Sequence, residues 1–253
     1  MRRIKSKTSF ADLGAPLKLF EGPAGLCDQH VADAACTFCG HNKPVCFRLT
    51  FLDDIVEACP SCGTELPFGL WKRNDVVCSC GVTVEFPKDA PADHVVCYSC
   101  LRAGRCALSK DTELGRITFA STFSGITEGF RELTKPGYEL VPIRDDRGNR
   151  RIAARLPIAT MLELLHTPSY VTSQGVNWLF CCGEPMTYVG EWTPSDLRMI
   201  APNGGPDFFQ QPVGGPAGLD VDQMCECLDS GDMDVYGFRC LSCGSHSAHY
   251  DID

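Results

Sequence analysis

The sequence lacks a hydrophobic segment that could serve a membrane or an export pathway. No uncharged apolar run in its 253 residues approaches the ~20 residues that a bilayer-spanning helix needs. The basic residues near the start are followed by Thr8, Ser9 and Asp12 instead of the apolar stretch of a signal peptide. These absences predict a soluble, cytoplasmic protein in a reducing compartment, without a membrane partner.

Catalytic motifs are missing as well. The sequence contains no H-E-x-x-H, no glycine-rich phosphate loop and no G-x-S-x-G nucleophile turn. The two histidines His246 and His249 lack both the glutamate and the spacing of a zinc-protease motif, and the order of motifs typical of zinc deaminases is absent. We therefore predict no catalytic residues and a protein that is not an enzyme.

Positive charge is scarce. The chain has 23 Lys and Arg against 32 Asp and Glu, a formal net charge of −9. A surface of this sign repels nucleic acid and anionic membranes and attracts basic partners. Basic clusters are short, such as Lys72-Arg73 and Arg150-Arg151, so a nucleic-acid partner is not expected.

Cysteine, in contrast, is abundant. The odd total of seventeen fits poorly with complete disulfide pairing, and four close pairs precede residue 101: Cys36/Cys39, Cys59/Cys62, Cys78/Cys80 and Cys97/Cys100. A tight turn carrying two thiolates offers both to one metal ion, and two such turns complete a tetrahedral Zn²⁺ site. The pattern predicts at least two four-thiolate zinc sites in place of a disulfide framework.

The four pairs can combine in two ways. In the nested arrangement, Cys59, Cys62, Cys78 and Cys80 form an inner group inside an outer group of Cys36, Cys39, Cys97 and Cys100. In the tandem arrangement, the first pair joins the second and the third joins the fourth. Nesting is favoured because both central pairs are followed by a glycine, Gly63 or Gly81, and a hairpin-length segment joins them.

A third group near the end offers a further zinc site. Cys240 and Cys243 form another C-x₂-C pair, and Cys181-Cys182 are adjacent. Because neighbouring cysteines rarely reach one metal without strain, we expect one of them, Cys182, to ligate and the other to pack in the interior. The fourth ligand is left open between His246 and the unused cysteine, and small buried residues without metal are the alternative.

The remaining cysteines are interpreted as ordinary free thiols. Cys225 and Cys227 lie on a predicted helix, where positions i and i+2 face apart, so they are not expected to share a metal. Cys27, Cys46 and Cys106 have no close partner in the sequence.

The elements predict an α+β fold of small β-hairpins and short helices organised around four-cysteine zinc knuckles. A polar turn at 144–149 predicts a hairpin between 138–143 and 150–156, and 221–229 predicts a short helix. Residues 201–218, rich in Gly and Pro, predict a loop. We expect an N-terminal zinc-binding region at 1–118, with an inserted zinc ribbon at about 56–86, and a C-terminal α+β region at 119–253.

Three sets of residues resemble the CbrC-like protein family of bacteria. They are the outer pairs with Gly40 and Leu101-Arg102-Ala103-Gly104, the segment from Thr167-Pro168-Ser169-Tyr170 to Tyr188-Val189-Gly190, and Tyr236-Gly237-Phe238-Arg239-Cys240-Leu241-Ser242-Cys243-Gly244 closing on Asp251. The resemblance implies that the inner pairs are an insertion. Family members often have a cysteine at the position of Met186.

The resemblance implies a non-enzymatic zinc-binding immunity protein, which binds and neutralises a cognate protein toxin in bacterial competition. A zinc-ribbon protein associated with nucleic acid or transcription is the alternative, and a metalloenzyme with a metal-bound water near His246 and His249 is the third hypothesis. Phe208 and Phe209 are candidate anchors for the partner, unless their loop folds back onto the core.

Overall fold

A computed structural model describes residues 7–50, 53–59, 61–69, 75–85, 94–130, 133, 135, 137–145, 147–200 and 219–252. The predicted loop at 201–218, with Phe208 and Phe209, lies outside this range, as does the Lys72-Arg73 pair. Within the described part of the chain, no helix is long and apolar enough to cross a membrane.

The secondary structure consists of short strands and a few short helices, which confirms the predicted α+β class. The strands are β1 His30–Ala35, β2 Asn42–Arg48, β3 Asp54–Ala58, β4 Glu65–Gly69, β5 Asp75–Val77, β6 Thr83–Glu85, β7 Val95–Cys97, β8 Cys106–Ala107, β9 Lys110–Thr112, β10 Gly115–Ile117, β11 Glu139–Arg144, β12 Arg150–Arg155, β13 Phe180–Cys181, β14 Glu184–Pro185, β15 Thr187–Glu191, β16 Met233–Arg239 and β17 His246–Ile252. The helices are α1 Tyr98–Arg102, α2 Ser121–Ser124, α3 Ile158–Leu165, α4 Pro194–Ile200 and α5 Val221–Ser230, with a 3₁₀ turn at Ala24–Leu26.

The chain packs as two units. Unit 1 comprises the described parts of Met1–Asp28, Asp111–Glu113 and Ser169–Asp253, and unit 2 those of Gln29–Lys110 and Leu114–Pro168. This grouping differs from the predicted division between residues 118 and 119. The N-terminal segment joins the C-terminal part because Phe20 packs edge-on against Tyr188, whose carbonyl accepts the Glu21 N–H at 2.9 Å.

Unit 1 is centred on the antiparallel sheet β15-β16-β17. One buried cluster is aromatic: Tyr170 stacks on Tyr188 with ring centroids 4.7 Å apart and contacts Trp178 and Phe238. Helices α4 and α5 contribute to a second apolar cluster with the sheet residues Val235 and Ala248. The predicted helix at 221–229 is α5, which begins with a reciprocal capping box between Asp220 and Gln223.

Unit 2 is a set of small antiparallel sheets. Strand β2 lies between β1 and β7, β3 lies between β4 and β8, and β5 pairs with β6. The predicted hairpin around 144–149 is present as β11 and β12. None of these sheets is large enough to bury two faces, so cross-links at the strand ends are expected to supply much of their stability.

Two adjacent carboxylates, Asp53 and Asp54, lie in unit 2. Asp53 is almost completely buried and accepts hydrogen bonds from Thr50 N at 2.6 Å and Ser109 N at 3.2 Å. The buried Lys110, whose Nζ donates to the Leu108 carbonyl at 3.1 Å, offsets part of its charge. Asp54 has a weaker set of partners, with the Phe119 N–H donating to its Oδ2 at 3.0 Å.

Asp54→Asn is expected to stabilise the protein at neutral pH. Burial raises the pKa of Asp54 from 3.8 to about 6, so the folded protein binds this proton more tightly than the unfolded chain does. The stability from that proton is complete below the unfolded pKa and is lost as the pH rises through about 6. The asparagine side chain keeps an oxygen that can accept the Phe119 N–H hydrogen bond, but it carries no negative charge. In urea unfolding, the variant should exceed the wild type in free energy of unfolding by an amount on the order of 1–2 kcal/mol at neutral pH. This difference should decline toward zero on acidification to about pH 4. A difference that does not change with pH would contradict this account.

Candidate metal centres

Twelve cysteines form three groups of four among the described residues. The groups are Cys36, Cys39, Cys97 and Cys100; Cys59, Cys62, Cys78 and Cys80; and Cys181, Cys182, Cys240 and Cys243. Within each group, all sulfur atoms lie within 4.8 Å of one another. The first two are the outer and inner groups of the nested arrangement, and the tandem combination is not found among the described cysteines.

One half of each group is the same knuckle, built from a C-x₂-C-G sequence. The N–H of the first cysteine donates to the carbonyl five residues on: Cys36 to His41 at 3.0 Å, Cys59 to Thr64 at 2.7 Å and Cys240 to Ser245 at 2.8 Å. The glycine N–H donates back to the first cysteine carbonyl at 2.8–3.0 Å in all three knuckles. The glycine has a φ of 70–75°, a conformation that a side chain disfavours, which explains the residue type at this position.

The other half differs from group to group. Cys97 lies immediately before α1 and Cys100 within it, so a helical turn brings the two sulfurs together. Cys78 and Cys80, separated by one residue, lie on a turn closed by the Gly81 N–H, which donates to the Cys78 carbonyl at 2.8 Å. These two local structures therefore present a thiolate pair to the same kind of knuckle.

The third group uses adjacent cysteines. Cys182 has a φ of +53°, one of two non-glycine residues with positive φ in the described chain, and Gly183 follows at +79°. This left-handed turn directs both sulfurs to one side, with Cys181 Sγ 3.8 Å from Cys182 Sγ and 3.7 Å from Cys243 Sγ. The backbone strain expected when two adjacent cysteines face one site is therefore present, and it lies in the left-handed conformation of Cys182.

Sulfur separations distinguish metal sites from disulfides. Tetrahedral Zn²⁺ with Zn–S bonds of about 2.3 Å places its ligands about 3.8 Å apart, whereas a disulfide is about 2.05 Å long. The Sγ–Sγ distance is 4.0 Å for Cys39–Cys97, 3.8 Å for Cys59–Cys80 and 3.4 Å for Cys62–Cys78. All seventeen cysteines are free of disulfide bonds. The three groups could each hold a metal ion, and the tetrahedral sulfur set is the one that zinc prefers.

Each knuckle favours one thiolate. The hydroxyl and backbone N–H of Thr64 lower the pKa of Cys62 to about 6, and Ser245 does the same for Cys243. Burial opposes ionisation of Cys36, but the backbone N–H groups of Cys97 and Cys39 outweigh it and lower the pKa of Cys36 to about 7. Because thiolates are the metal-binding form, these hydrogen bonds prepare the groups for a cation.

The groups differ in burial. Cys36 and Cys97 are 1% and 2% exposed and pack with Cys46 in one core cluster. The inner group has two exposed members, Cys62 and Cys80, and the third group has two, Cys182 and Cys243. The outer group is therefore part of the interior of unit 2. The inner group lies at the surface of unit 2, and the third group lies at the surface of unit 1.

The third group differs from the expectation in one respect. Cys182 was expected to ligate and Cys181 to pack in the interior, but both lie in the group. Of the two candidates for the fourth ligand, the unused cysteine is the one found there, whereas His246 pairs with Arg239 across the sheet and contacts the Trp192 ring. Met186 is buried in the core, so the group has four sulfurs without one from that position.

Cys181→Ser and Cys182→Ser are each expected to abolish binding at the third group. Both sulfurs lie at metal-ligand separation from their neighbours, so neither can substitute for the other. Elemental analysis of each purified variant should show one metal ion fewer than the wild type, with the other two groups filled. Cys225→Ser, at a buried thiol outside the groups, is the matched control. Full metal content in one of the two adjacent-cysteine variants would assign the site to three sulfurs and another donor.

The remaining five cysteines lie outside the groups, as predicted. Cys27, Cys46, Cys106 and Cys225 are buried, and burial raises the pKa of Cys46, Cys106 and Cys225. Such thiols stay protonated and behave as small apolar residues.

The other histidine of the metalloenzyme hypothesis, His249, belongs to a buried network in unit 1. Its Nε2 lies 3.3 Å from Asp251 Oδ1, and the Asp251 Oδ2 atom accepts hydrogen bonds from Thr172, Ser173, Gln174 and Tyr236. The carboxylate thereby fixes the 172–174 loop. Neither His246 nor His249 is among the ligand groups found in the described chain.

Fold and sites together define an α+β protein of small sheets with three groups of four cysteines that could hold metal ions. Residues 69–252 match the uncharacterised protein family UPF0167, and the chain belongs to that family. The matched range contains the whole third group but only Cys78/Cys80 and Cys97/Cys100 of the other two. No curated protein and no solved structure matches the chain.

Proposed function

We propose that each cysteine group holds one Zn²⁺ and that all three ions are structural. The observation that carries this proposal is the provision of four sulfur ligands per group at tetrahedral separations. Four thiolates fill the coordination sphere, and a catalytic zinc needs an open position for water or substrate. The ions would therefore cross-link strand ends, and the protein would not be an enzyme.

The proposed biological role is that of a cytoplasmic immunity protein that binds and neutralises a cognate protein toxin. Support comes from the resemblance of 167–190 and 236–244 to the CbrC-like family and from the fully ligated sites, which suit a rigid binding scaffold better than a catalyst. The net charge of −9 favours encounter with a basic or neutral toxin and disfavours nucleic acid.

Co-expression should rescue cells from a toxin encoded next to the gene of this protein. Rescue is expected to persist in a His246→Gln/His249→Gln variant, because neither histidine is a member of a cysteine group among the described residues and no catalytic turnover is proposed. Circular dichroism and metal content must first show that the variant is folded and loaded. Cys36→Ser, which should lose the outer metal ion and the β1-β2-β7 sheet, is the negative control.

Two outcomes would contradict this role. Loss of rescue in the folded, metal-loaded histidine variant would indicate an enzymatic antidote. Absence of rescue by the wild type against the neighbouring toxin would remove the immunity function while leaving the structural zinc sites untouched.

A further inference from the structure

The β11–β12 hairpin is a positively charged element in a negatively charged chain. Residues 139–155 contain five arginines, Arg144, Arg147, Arg150, Arg151 and Arg155, against Glu139, Asp145 and Asp146. This gives +2 for the segment, whereas the whole chain carries −9. The hairpin belongs to unit 2, and none of its residues is a cysteine ligand.

One face of the hairpin is neutralised by ion pairs. The antiparallel register places Glu139 opposite Arg155, and the Arg155 Nε donates to Glu139 Oε1 at 3.0 Å. Arg151 Nε donates to Asp145 Oδ2 at 3.1 Å. Residues directly opposite in such a pair point to the same side, and alternate residues along a strand share a face. The odd-numbered positions therefore carry matched charges.

The other face carries unmatched charge. Arg144 lies directly opposite Arg150, an arrangement that is destabilising for like charges, and both side chains are exposed. Arg147 is exposed in the turn between them. Within the described residues, Arg144, Arg147 and Arg150 make no ion pair. Among the described residues, the one side-chain hydrogen bond of these three arginines runs from Arg144 Nη1 to the Gly148 carbonyl at 2.8 Å.

The turn that presents these arginines is held in place by Asp145. Its Oδ1 accepts the N–H groups of Arg147 at 3.0 Å and Asn149 at 2.9 Å, and its Oδ2 accepts from Asn149 Nδ2 at 3.1 Å. The Asn149 amide and backbone hydrogen bonds keep the pKa of Asp145 at about 2, so it remains charged at any physiological pH. An ordered turn loses little conformational entropy when a ligand binds.

Apolar side chains continue the same face away from the turn. Leu140 and Pro142 alternate with Arg144 along β11, and Phe130 bridges to Ile152, which lies opposite Pro142. Leu140 is 42% exposed and Phe130 is 45% exposed. Exposed aromatic and aliphatic groups beside unmatched arginines are the residue types enriched at protein–protein interfaces.

We propose that this face binds an acidic segment of a partner protein, with carboxylates on Arg144, Arg147 and Arg150 and an apolar side chain against Phe130 and Leu140. Carboxylates form strong, often bidentate hydrogen bonds with guanidinium groups. A nucleic acid is disfavoured because its evenly spaced phosphates would extend beyond the hairpin toward an acidic chain. Pro142 removes one N–H donor from β11, which favours side-chain contacts over addition of a strand.

This proposal rests on the proposed function for the existence of a protein partner, and it adds the surface on which that partner binds. A partner that is basic or neutral overall would be attracted by the net negative charge, and its one acidic segment would fix the orientation on this hairpin. Toxin rescue tests the role of the protein, whereas the following assay reads out the surface directly. The two can therefore fail independently.

The test uses the full-length, zinc-loaded protein and a short fluorescent peptide of glutamates around a single phenylalanine. Fluorescence anisotropy at low ionic strength should show binding that is about tenfold weaker for Arg144→Gln/Arg150→Gln. The matched control is Arg48→Gln/Arg198→Gln, which removes two exposed arginines elsewhere and should bind like the wild type. Replacing the peptide phenylalanine by serine should weaken binding to the wild type but change nothing further in Phe130→Ser.

Three results would overturn the proposal. The first is equal binding by the hairpin variant and the Arg48/Arg198 control. The second is a single-stranded DNA oligonucleotide that binds more tightly than the peptide and with the same dependence on Arg144 and Arg150, which would assign the surface to nucleic acid. The third is no measurable peptide binding by the wild type.

Discussion

Cys36→Ser is expected to unfold the β1-β2-β7 sheet together with α1, whereas Cys59→Ser should disturb only the inserted ribbon. Cys36 Sγ accepts the Cys97 N–H at 3.3 Å, and both residues lie in the core cluster that joins β1, β2 and β7. Structural zinc contributes roughly 10–16 kcal/mol in small zinc peptides, and a whole domain is stable by only about 5–15 kcal/mol. Loss of a buried ligand can therefore remove all of the stability of the surrounding sheets.

The inner group is less connected to the interior. Cys62 and Cys80 are exposed, and the pair β5-β6 forms a two-stranded sheet of its own. Two-stranded hairpins are marginally stable without a cross-link, so Cys59→Ser should release the segment from β4 to β6. Strand β3 should remain, because Ile55 and Val56 are buried and Ile55 pairs with Cys106 of β8.

Hydrogen exchange with mass spectrometry separates these outcomes. In Cys59→Ser, fast exchange should be confined to residues 61–85, and in Cys36→Ser it should extend over β1, β2, β7 and α1. Each variant should lose one metal ion. If both variants emptied the same site, the cysteines would be combined in tandem and the nested grouping would be incorrect.

The cysteine knuckles could be predicted from sequence because their determinants are local. A C-x₂-C-G sequence defines both thiolates and the glycine that closes the turn, and it accounts for six of the eleven predicted ligands. Four more, Cys78/Cys80 and Cys97/Cys100, were predicted from their close spacing. Cys182 was also expected, whereas its neighbour Cys181 was left open against His246 as the fourth member. Joint ligation depends on the sign of φ at Cys182, and the one available signal was Gly183, which extends the left-handed turn.

The packing of the N-terminal segment within unit 1 depends on long-range contacts, which the sequence pattern does not contain. The residues around Phe20 and Tyr188 form no local sequence pattern that predicts the contact between the two rings, and the N-terminal segment has few regular elements. The hairpin β11–β12 shows the opposite case. Its turn residues were enough to predict the two strands. Which arginines form ion pairs and which share the other face became clear only from the register of β11 against β12.

Removal of all metal is expected to abolish the fixed tertiary structure. Without a cation, four sulfurs held within 4.8 Å would have either to remain protonated or to repel one another as thiolates. A strong chelator should therefore collapse the near-ultraviolet circular dichroism signal and the cooperative thermal transition. Added Zn²⁺ should restore both, whereas Mg²⁺, which prefers oxygen ligands, should not. A metal-free protein with an unchanged thermal transition would show that the cysteine groups are not structural.

The central claim, three structural four-thiolate zinc sites, is tested most directly by the metal content of the purified protein. Elemental analysis combined with native and denaturing mass spectrometry should give three Zn²⁺ per chain, all released on denaturation, and a denatured mass with every cysteine reduced. Fewer than three zinc ions per fully folded chain, or a mass that reveals bridged cysteines, would contradict the account.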